Sequence, residues 1–172
     1  MRYILADLYR SFNPAVEIRS SAWLFNATGQ HGELTREELI AQGSLTRHRL
    51  VNYMPDFLYR ILKLYFKEPY DMDSAMIDIQ AIKPVVISQT NIYGDACHQF
   101  VDICCLNEFW QVNLFATDKY GPMRKYATDA SYELLRRRRI RIRDALTGWR
   151  QQAIETAESV LYGDYEAVLS AS

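Results

Sequence analysis

The sequence has few of the residues that mark disulfide-stabilised or membrane-spanning proteins. Its 172 residues include only three cysteines, two of them adjacent at Cys104 and Cys105, so they cannot form a disulfide framework. The amino-terminal residues lack the long apolar core of a signal peptide, and no apolar run is long enough to span a membrane. We therefore expect the chain to work in a reducing compartment, the cytoplasm.

Motifs of catalysis and metal binding are also missing. The sequence has no glycine-rich phosphate loop, no Cys-x-x-Cys pair, no nucleophile elbow and no His-Glu-x-x-His helix. Cys97 and His98 are neighbours, and on a helix their side chains diverge by about 100°, which prevents a direct thiolate–imidazole pair. These absences predict a protein that is not an enzyme and has no metal site.

The balance of charge limits the partners. The formal net charge is −1 and the pI is near 6.3, which argues against a surface that binds nucleic acid all over. Apolar residues make up 49% of the chain and charged residues 24%, as in globular proteins. The 12 tyrosines and three tryptophans fit either an aromatic core or interface, or a pocket for a flat ligand.

Apolar residues recur at helical spacing along most of the chain, which predicts an all-α protein. Turn and capping residues divide the pattern into helices. The predicted helices are Arg2–Phe12, ended by Asn13-Pro14; Leu34–Ala41, capped by Thr35 and ended by Gly43-Ser44; Ser44–Lys67, kinked or split by Pro55; one from Gly94-Asp95 to before Gly121-Pro122; and Tyr132–Leu161, with a break at Thr147-Gly148 left open and an end at Gly163-Asp164.

Two stretches have weaker signals. Ala15–Ala27 has some strand character, but it is too short and isolated to build a sheet. Lys67–Gln89 is predicted to be the least regular part of the chain because it contains two prolines and several aspartates. Within it, Val85-Val86-Ile87 fits either a brief extended segment or the start of a buried helix.

The predicted helix that begins at Asp95 contains all three cysteines, and we expect it to line any binding site. Asp95 is a candidate N-cap. His98 can pair with Asp102 one turn later, a contact that is usually structural, or serve as an axial ligand to a haem. Cys104 and Cys105 are one step apart, so at most one of them is expected to point to the centre of the core.

Six arginines between Arg136 and Arg143 are the strongest local charge feature. Arg136, Arg139 and Arg143 fall on one helical face, beside the apolar face that contains Leu135 and Ile142. Guanidinium groups in such a run either bind phosphates and carboxylates or form a solvated face with ion pairs to acidic residues. A helix that reads a DNA duplex is the weaker alternative, because arginines point all around the helix.

Asn91-Ile-Tyr-Gly-Asp95 precedes the predicted helix that begins at Asp95, and Gly121-Pro122 follows it. This order, with several other segments, resembles the phycobiliproteins, in which an Asn-x-Tyr turn opens the chromophore-bearing helix and a proline-containing turn follows it. The similar segments are short and lie between Thr46 and Ser172. The matching segments are Thr46-Arg-His-Arg-Leu-Val51 with Asp56 and Leu58, Asn91-Ile-Tyr-Gly-Asp95, Gly121-Pro122-Met123-Arg-Lys-Tyr126, Glu158-Ser-Val-Leu-Tyr-Gly-Asp164 and Leu169-Ser-Ala-Ser172. The resemblance implies one globin-like helical domain over residues 1–172, with 1–45 as a divergent segment.

The resemblance also implies a bilin or related tetrapyrrole as ligand. Asp102 or Asp95 would face its pyrrole nitrogens, Cys97 and His98 would lie nearby, and Arg136, Arg139 and Arg143 would hold its propionates. The family's Cys-x-Arg-Asp attachment motif has no counterpart here, since His98-Gln99-Phe100 follows Cys97. A bilin is therefore expected to be bound without a covalent bond, or to be absent.

The sequence fits two functions. The first is a non-enzymatic, phycobiliprotein-related protein that binds or handles a bilin. The second is a helical interaction or regulatory adaptor that binds a protein or nucleic acid through the arginine-rich helix, with nucleic acid the less favoured partner. A homo-oligomer is compatible with both.

Overall fold

The structure is a computed structural model, and it describes residues 2–13, 36–67, 71–92, 95–110 and 132–163. Within these ranges it contains six α-helices and no strand, which confirms the all-α prediction. The helices are α1 (Arg2–Phe12), α2 (Arg36–Tyr53), α3 (Asp56–Phe66), α4 (Met72–Thr90), α5 (Asp95–Trp110) and α6 (Tyr132–Tyr162). The predicted strand character of Ala15–Ala27, the Thr35 cap and the turn at Gly121-Pro122 lie outside the described residues.

The described helices form two compact units. One contains α1, α2, α3 and the part of α6 that follows Arg150, and the other contains α4, α5 and α6 up to Arg150. The first unit has a core of apolar side chains that recur at helical spacing, including Ile4, Leu8 and Phe12 of α1 and Leu58, Ile61 and Leu62 of α3. The side-chain amide of Asn13 donates hydrogen bonds to the carbonyl of Tyr9 at 3.0 Å and to that of Phe66 at 2.5 Å. It therefore joins the ends of α1 and α3.

The prediction that Gly43-Ser44 ends a helix is wrong, because α2 runs through both residues. A Cβ placed on Gly43 would lie 2.9 Å from the carbonyl oxygen of Arg10. Glycine therefore lets α1 and α2 approach each other closely, and tertiary packing outweighs its weak helix propensity. The predicted split at Pro55 is confirmed, since α2 ends at Tyr53 and Pro55 stands at the N-cap of α3.

Lys67–Gln89 was predicted to be irregular, and this is also wrong, because α4 occupies most of it. Asp71 is its N-cap and accepts a hydrogen bond from the Ser74 amide at 2.8 Å. Pro84 lies inside the helix, where it removes one backbone hydrogen bond. The helix forms nevertheless because it buries a regular apolar stripe, Ala75, Ile79, Ile82 and Val86.

In the last helix, α6, the buried residues lie on the apolar face that the sequence predicts. Leu135, Ile142, Leu146 and Ala153 are buried, and Trp149 on the same face is half-buried. The helix runs through Thr147-Gly148 without a break and ends before Gly163, as predicted, where the Gly163 amide donates to the Ser159 carbonyl at 2.8 Å.

Candidate functional site

The unit formed by α4, α5 and the first part of α6 contains an ion pair that is largely buried. Nζ of Lys83 in α4 donates to Oδ2 of Asp102 in α5 at 2.8 Å, and also to Oε1 of Gln80 at 3.2 Å. The Lys83 side chain is 9% exposed and that of Asp102 is 14% exposed. Removing two charges from water is costly, so this pair depends on its mutual attraction and its hydrogen bonds.

The second carboxylate oxygen of Asp102 is not satisfied. Its Oδ1 atom is buried and has no hydrogen-bond partner among the described residues. Buried polar atoms nearly always have a partner, and an exception calls for a functional or structural explanation. The arrangement therefore presents an unused, negatively charged acceptor on α5, held in place by the lysine on its other oxygen.

Two buried thiols lie on the same helix. Cys104 and Cys105 are 4% and 0% exposed, so both are buried, although Cys105 is the more completely enclosed. Burial raises the pKa of Cys104 to about 12, and the positive charge of Arg139 opposes this rise. Burial also raises the pKa of Cys105, reinforced by Cys104 and Asp102, while Lys83 acts in the opposite direction. Neither thiol is suited to nucleophilic attack at neutral pH.

The other predicted residues of α5 are placed only by their backbone. Asp95 is the first residue of the helix, and Cys97 and His98 lie in its first turn. Their side chains lie outside the described part of the structure, so the contacts expected of them remain predictions.

The predicted arginine residues do not converge on Asp102. Arg136 and Arg143 are exposed and bound to acidic residues of their own helix, Arg136 to Glu133 at 4.0 Å and Arg143 to Asp144 at 2.9 Å. Arg139 is half-buried, and its charge acts on Cys104. Of the three, Arg139 is therefore the one that the structure associates with α5.

Sequence reasoning missed Lys83. The signal was present, because Lys83 follows Ile79 by four residues and so falls on the apolar stripe of α4. A lysine at such a position is rarely buried unless it is paired.

A second polar feature lies at the end of α4. Asn91 adopts the left-handed conformation, with φ 53° and ψ 44°, and its amide donates back to the Ile87 carbonyl. Asparagine tolerates this conformation better than most residues, which gives the Asn-x-Tyr segment a structural role as a helix stop. Beside it is an open pocket of about 420 Å³, which is lined by Gln89, Thr90, Asn91, Arg141, Asp144 and Ala145.

Two kinds of feature are missing from the described ranges, namely clusters of metal-ligating side chains and membrane-spanning helices. No group of three or more metal-ligating side chains occurs there, and no helix there is long and apolar enough to cross a bilayer. No protein-family model, no curated protein and no solved structure matches the chain significantly.

Proposed function

We propose that the protein is a non-enzymatic, phycobiliprotein-related protein with a globin-like fold that binds a bilin or a related linear tetrapyrrole without a covalent bond. The observation that supports this proposal is the buried Oδ1 atom of Asp102, for which the described part of the chain provides no hydrogen-bond donor. Pyrrole N–H groups are donors that need an acceptor when they are buried in an apolar site. A carboxylate oxygen in a fixed orientation meets that need.

Other residues near Asp102 fit the same ligand. Lys83 binds Oδ2 of Asp102 and so fixes the orientation of the carboxylate. Arg139, half-buried and close enough to influence Cys104, suits a ligand propionate. Arg136 and Arg143 fit less well, because their side chains are more exposed than that of Arg139.

The thiols support non-covalent binding. A thioether bond requires a reactive thiolate, and the raised pKa values of Cys104 and Cys105 disfavour one. Cys97 is the remaining candidate for attachment, and it lacks the family's following Arg-Asp residues. When bound, the tetrapyrrole would supply absorption of visible light.

Colour provides the test. The protein would be co-expressed with a bilin source, purified, and examined by visible absorption before and after denaturation. We expect a band that is lost on denaturation. Asp102→Asn should weaken this band, whereas Glu108→Gln on the same helix serves as a matched control and should retain it. A colourless wild-type protein, or equal bands in both variants, would refute the proposal.

The second candidate is an interaction or regulatory adaptor, and the exposed surface of α6 favours it. Arg136, Arg137 and Arg143 have side chains that are 63%, 68% and 58% exposed. Leu134 and Ile140 are exposed among them, at 41% and 38%. Arginine interleaved with exposed apolar residues is typical of recognition surfaces.

A triple substitution tests the adaptor. If the arginine face binds an anionic partner, Arg136→Gln, Arg139→Gln and Arg143→Gln together should weaken binding to heparin at low salt and flatten its salt dependence, while the fold persists. Unchanged heparin binding would contradict the adaptor. Loss of the fold would show instead that these arginines stabilise their own unit.

A further inference from the structure

The solvent side of α6 has the spacing of a helix-packing seam. Leu134, Arg137, Arg141, Asp144 and Gly148 follow one another at steps of three and four residues, which places them along one face of the helix. The buried side chains of Leu135, Ile142 and Leu146 lie on the opposite side. Ile140, also exposed, borders this seam. We call Leu134, Arg137, Ile140, Arg141 and Gly148 the docking face.

No contact in the described part of the chain explains why residue 148 is a glycine. It lies in the interior of a 31-residue helix, and a Cβ placed there would meet nothing within 4 Å. Glycine weakens a helix interior, and it is otherwise used where another backbone approaches closely. At Gly43 the structure shows such an approach, whereas at Gly148 the space is open.

Arg141 differs from its neighbours. In the described ranges Glu133 pairs with Arg136 and Arg137, and Asp144 pairs with Arg143, but no ion pair or side-chain hydrogen bond involves Arg141. It also lines the pocket beside Asn91. An arginine in this position is available to an acidic side chain that enters the pocket from outside.

We infer that the docking face binds an acidic, amphipathic helix of another protein, with an acidic side chain placed against Arg141. This inference rests on the adaptor function proposed above and names its partner class. Residues 132–150 contain seven arginines and two acidic residues, so the surface attracts a negatively charged partner.

A helix fits this face better than nucleic acid does. The sugar-phosphate backbone offers little apolar surface for Leu134 and Ile140. The apolar side of a partner helix covers both residues, and Gly148 lets its backbone approach.

Fluorescence anisotropy tests the inference with a labelled peptide of about 20 residues, built from Glu and Leu at amphipathic helical spacing. A peptide of the same composition in scrambled order and a duplex DNA of about 20 base pairs serve as comparison probes. We expect the amphipathic peptide to bind more tightly than its scrambled counterpart.

Matched variants locate the binding. Arg141→Gln should raise the Kd for the amphipathic peptide about tenfold, as expected for loss of a charge-assisted contact. Arg47→Gln removes the same charge at an exposed position of α2, away from the pocket, and should leave the Kd nearly unchanged. Ile140→Gln should also weaken binding, whereas Ile77→Gln, at another exposed isoleucine, should not. Circular dichroism checks that each variant keeps its helices.

The outcomes separate this inference from the function on which it rests. Equal losses from Arg141→Gln and Arg47→Gln, or equal binding of ordered and scrambled peptides, would overturn the docking face. Binding of DNA alone would overturn the helical partner while preserving an adaptor for anions. If no probe binds at low salt, both the docking face and the adaptor function fail.

Discussion

Tyr162, at the end of α6, donates a hydrogen bond from its hydroxyl to Oδ2 of Asp7 in α1. The two residues are 155 positions apart, so the bond joins the beginning of the described chain to its end within one unit. Partial burial, and then the bond to Asp7, raise the pKa of Tyr162 above its ordinary value of 10.0.

This pKa shift predicts a loss of stability in alkali. Because the pKa of Tyr162 is raised in the folded state, the contribution of Tyr162 to the free energy of unfolding is fully present below pH 10. This contribution is lost as pH rises above that value. Tyr162→Phe should lower the free energy of unfolding by about 1 kcal/mol at pH 7. Urea unfolding at pH 7 and pH 11 measures both effects, and the loss in alkali should be smaller in the variant. An equal loss in the two proteins would contradict this role.

The Lys83–Asp102 pair gives a second prediction. Lys83→Met should destabilise the protein by about 3 kcal/mol, because it leaves a buried carboxylate without its cation. The double variant Lys83→Met with Asp102→Leu should recover most of that loss, since neither charge remains. Urea unfolding of the single and double variants measures the difference. A double variant as unstable as the single one would mean that the pair is not coupled.

The cysteines should differ in reactivity. Cys104 and Cys105 are buried and have raised pKa values, so alkylation in the native state should be slow, and at pH 9 Cys104 should still be mostly protonated. We expect Cys97, nearest the start of α5, to be modified first. Mass spectrometry of peptides after timed iodoacetamide labelling locates the modified thiols. Labelling of Cys104 and Cys105 as fast as Cys97 would show that α5 is not a buried helix.

The two helical glycines should respond in opposite directions to alanine. Gly148→Ala should stabilise the free protein by about 1 kcal/mol, because alanine favours the helix and its Cβ meets no atom. Gly43→Ala should destabilise it by about 1–3 kcal/mol, because its Cβ would lie 2.9 Å from the Arg10 carbonyl oxygen. Thermal unfolding compares the two variants directly, and stabilisation by Gly43→Ala would contradict the close approach of α1 and α2.

Local signals in the sequence predicted much of the helical framework correctly. Asn13-Pro14 and Pro55 stop helices because proline cannot continue the backbone hydrogen-bond pattern. The apolar spacing around Leu135, Ile142 and Leu146 identified the buried side of α6, because a helix must bury such a stripe. These features depend on residues within a few positions of one another.

Tertiary structure decided what those local signals could not. Gly43 lies inside α2 where the backbone of Arg10 in α1 comes close to it, and α4 forms around Pro84 because its apolar stripe is buried. The candidate site depends in the same way on Lys83 and Asp102, which lie 19 positions apart and meet only when α4 packs on α5. The sequence by itself thus determined where most of the described helices begin and end. Burial and distant contacts determined which polar groups meet, and why Oδ1 of Asp102 has no hydrogen-bond partner among the described residues.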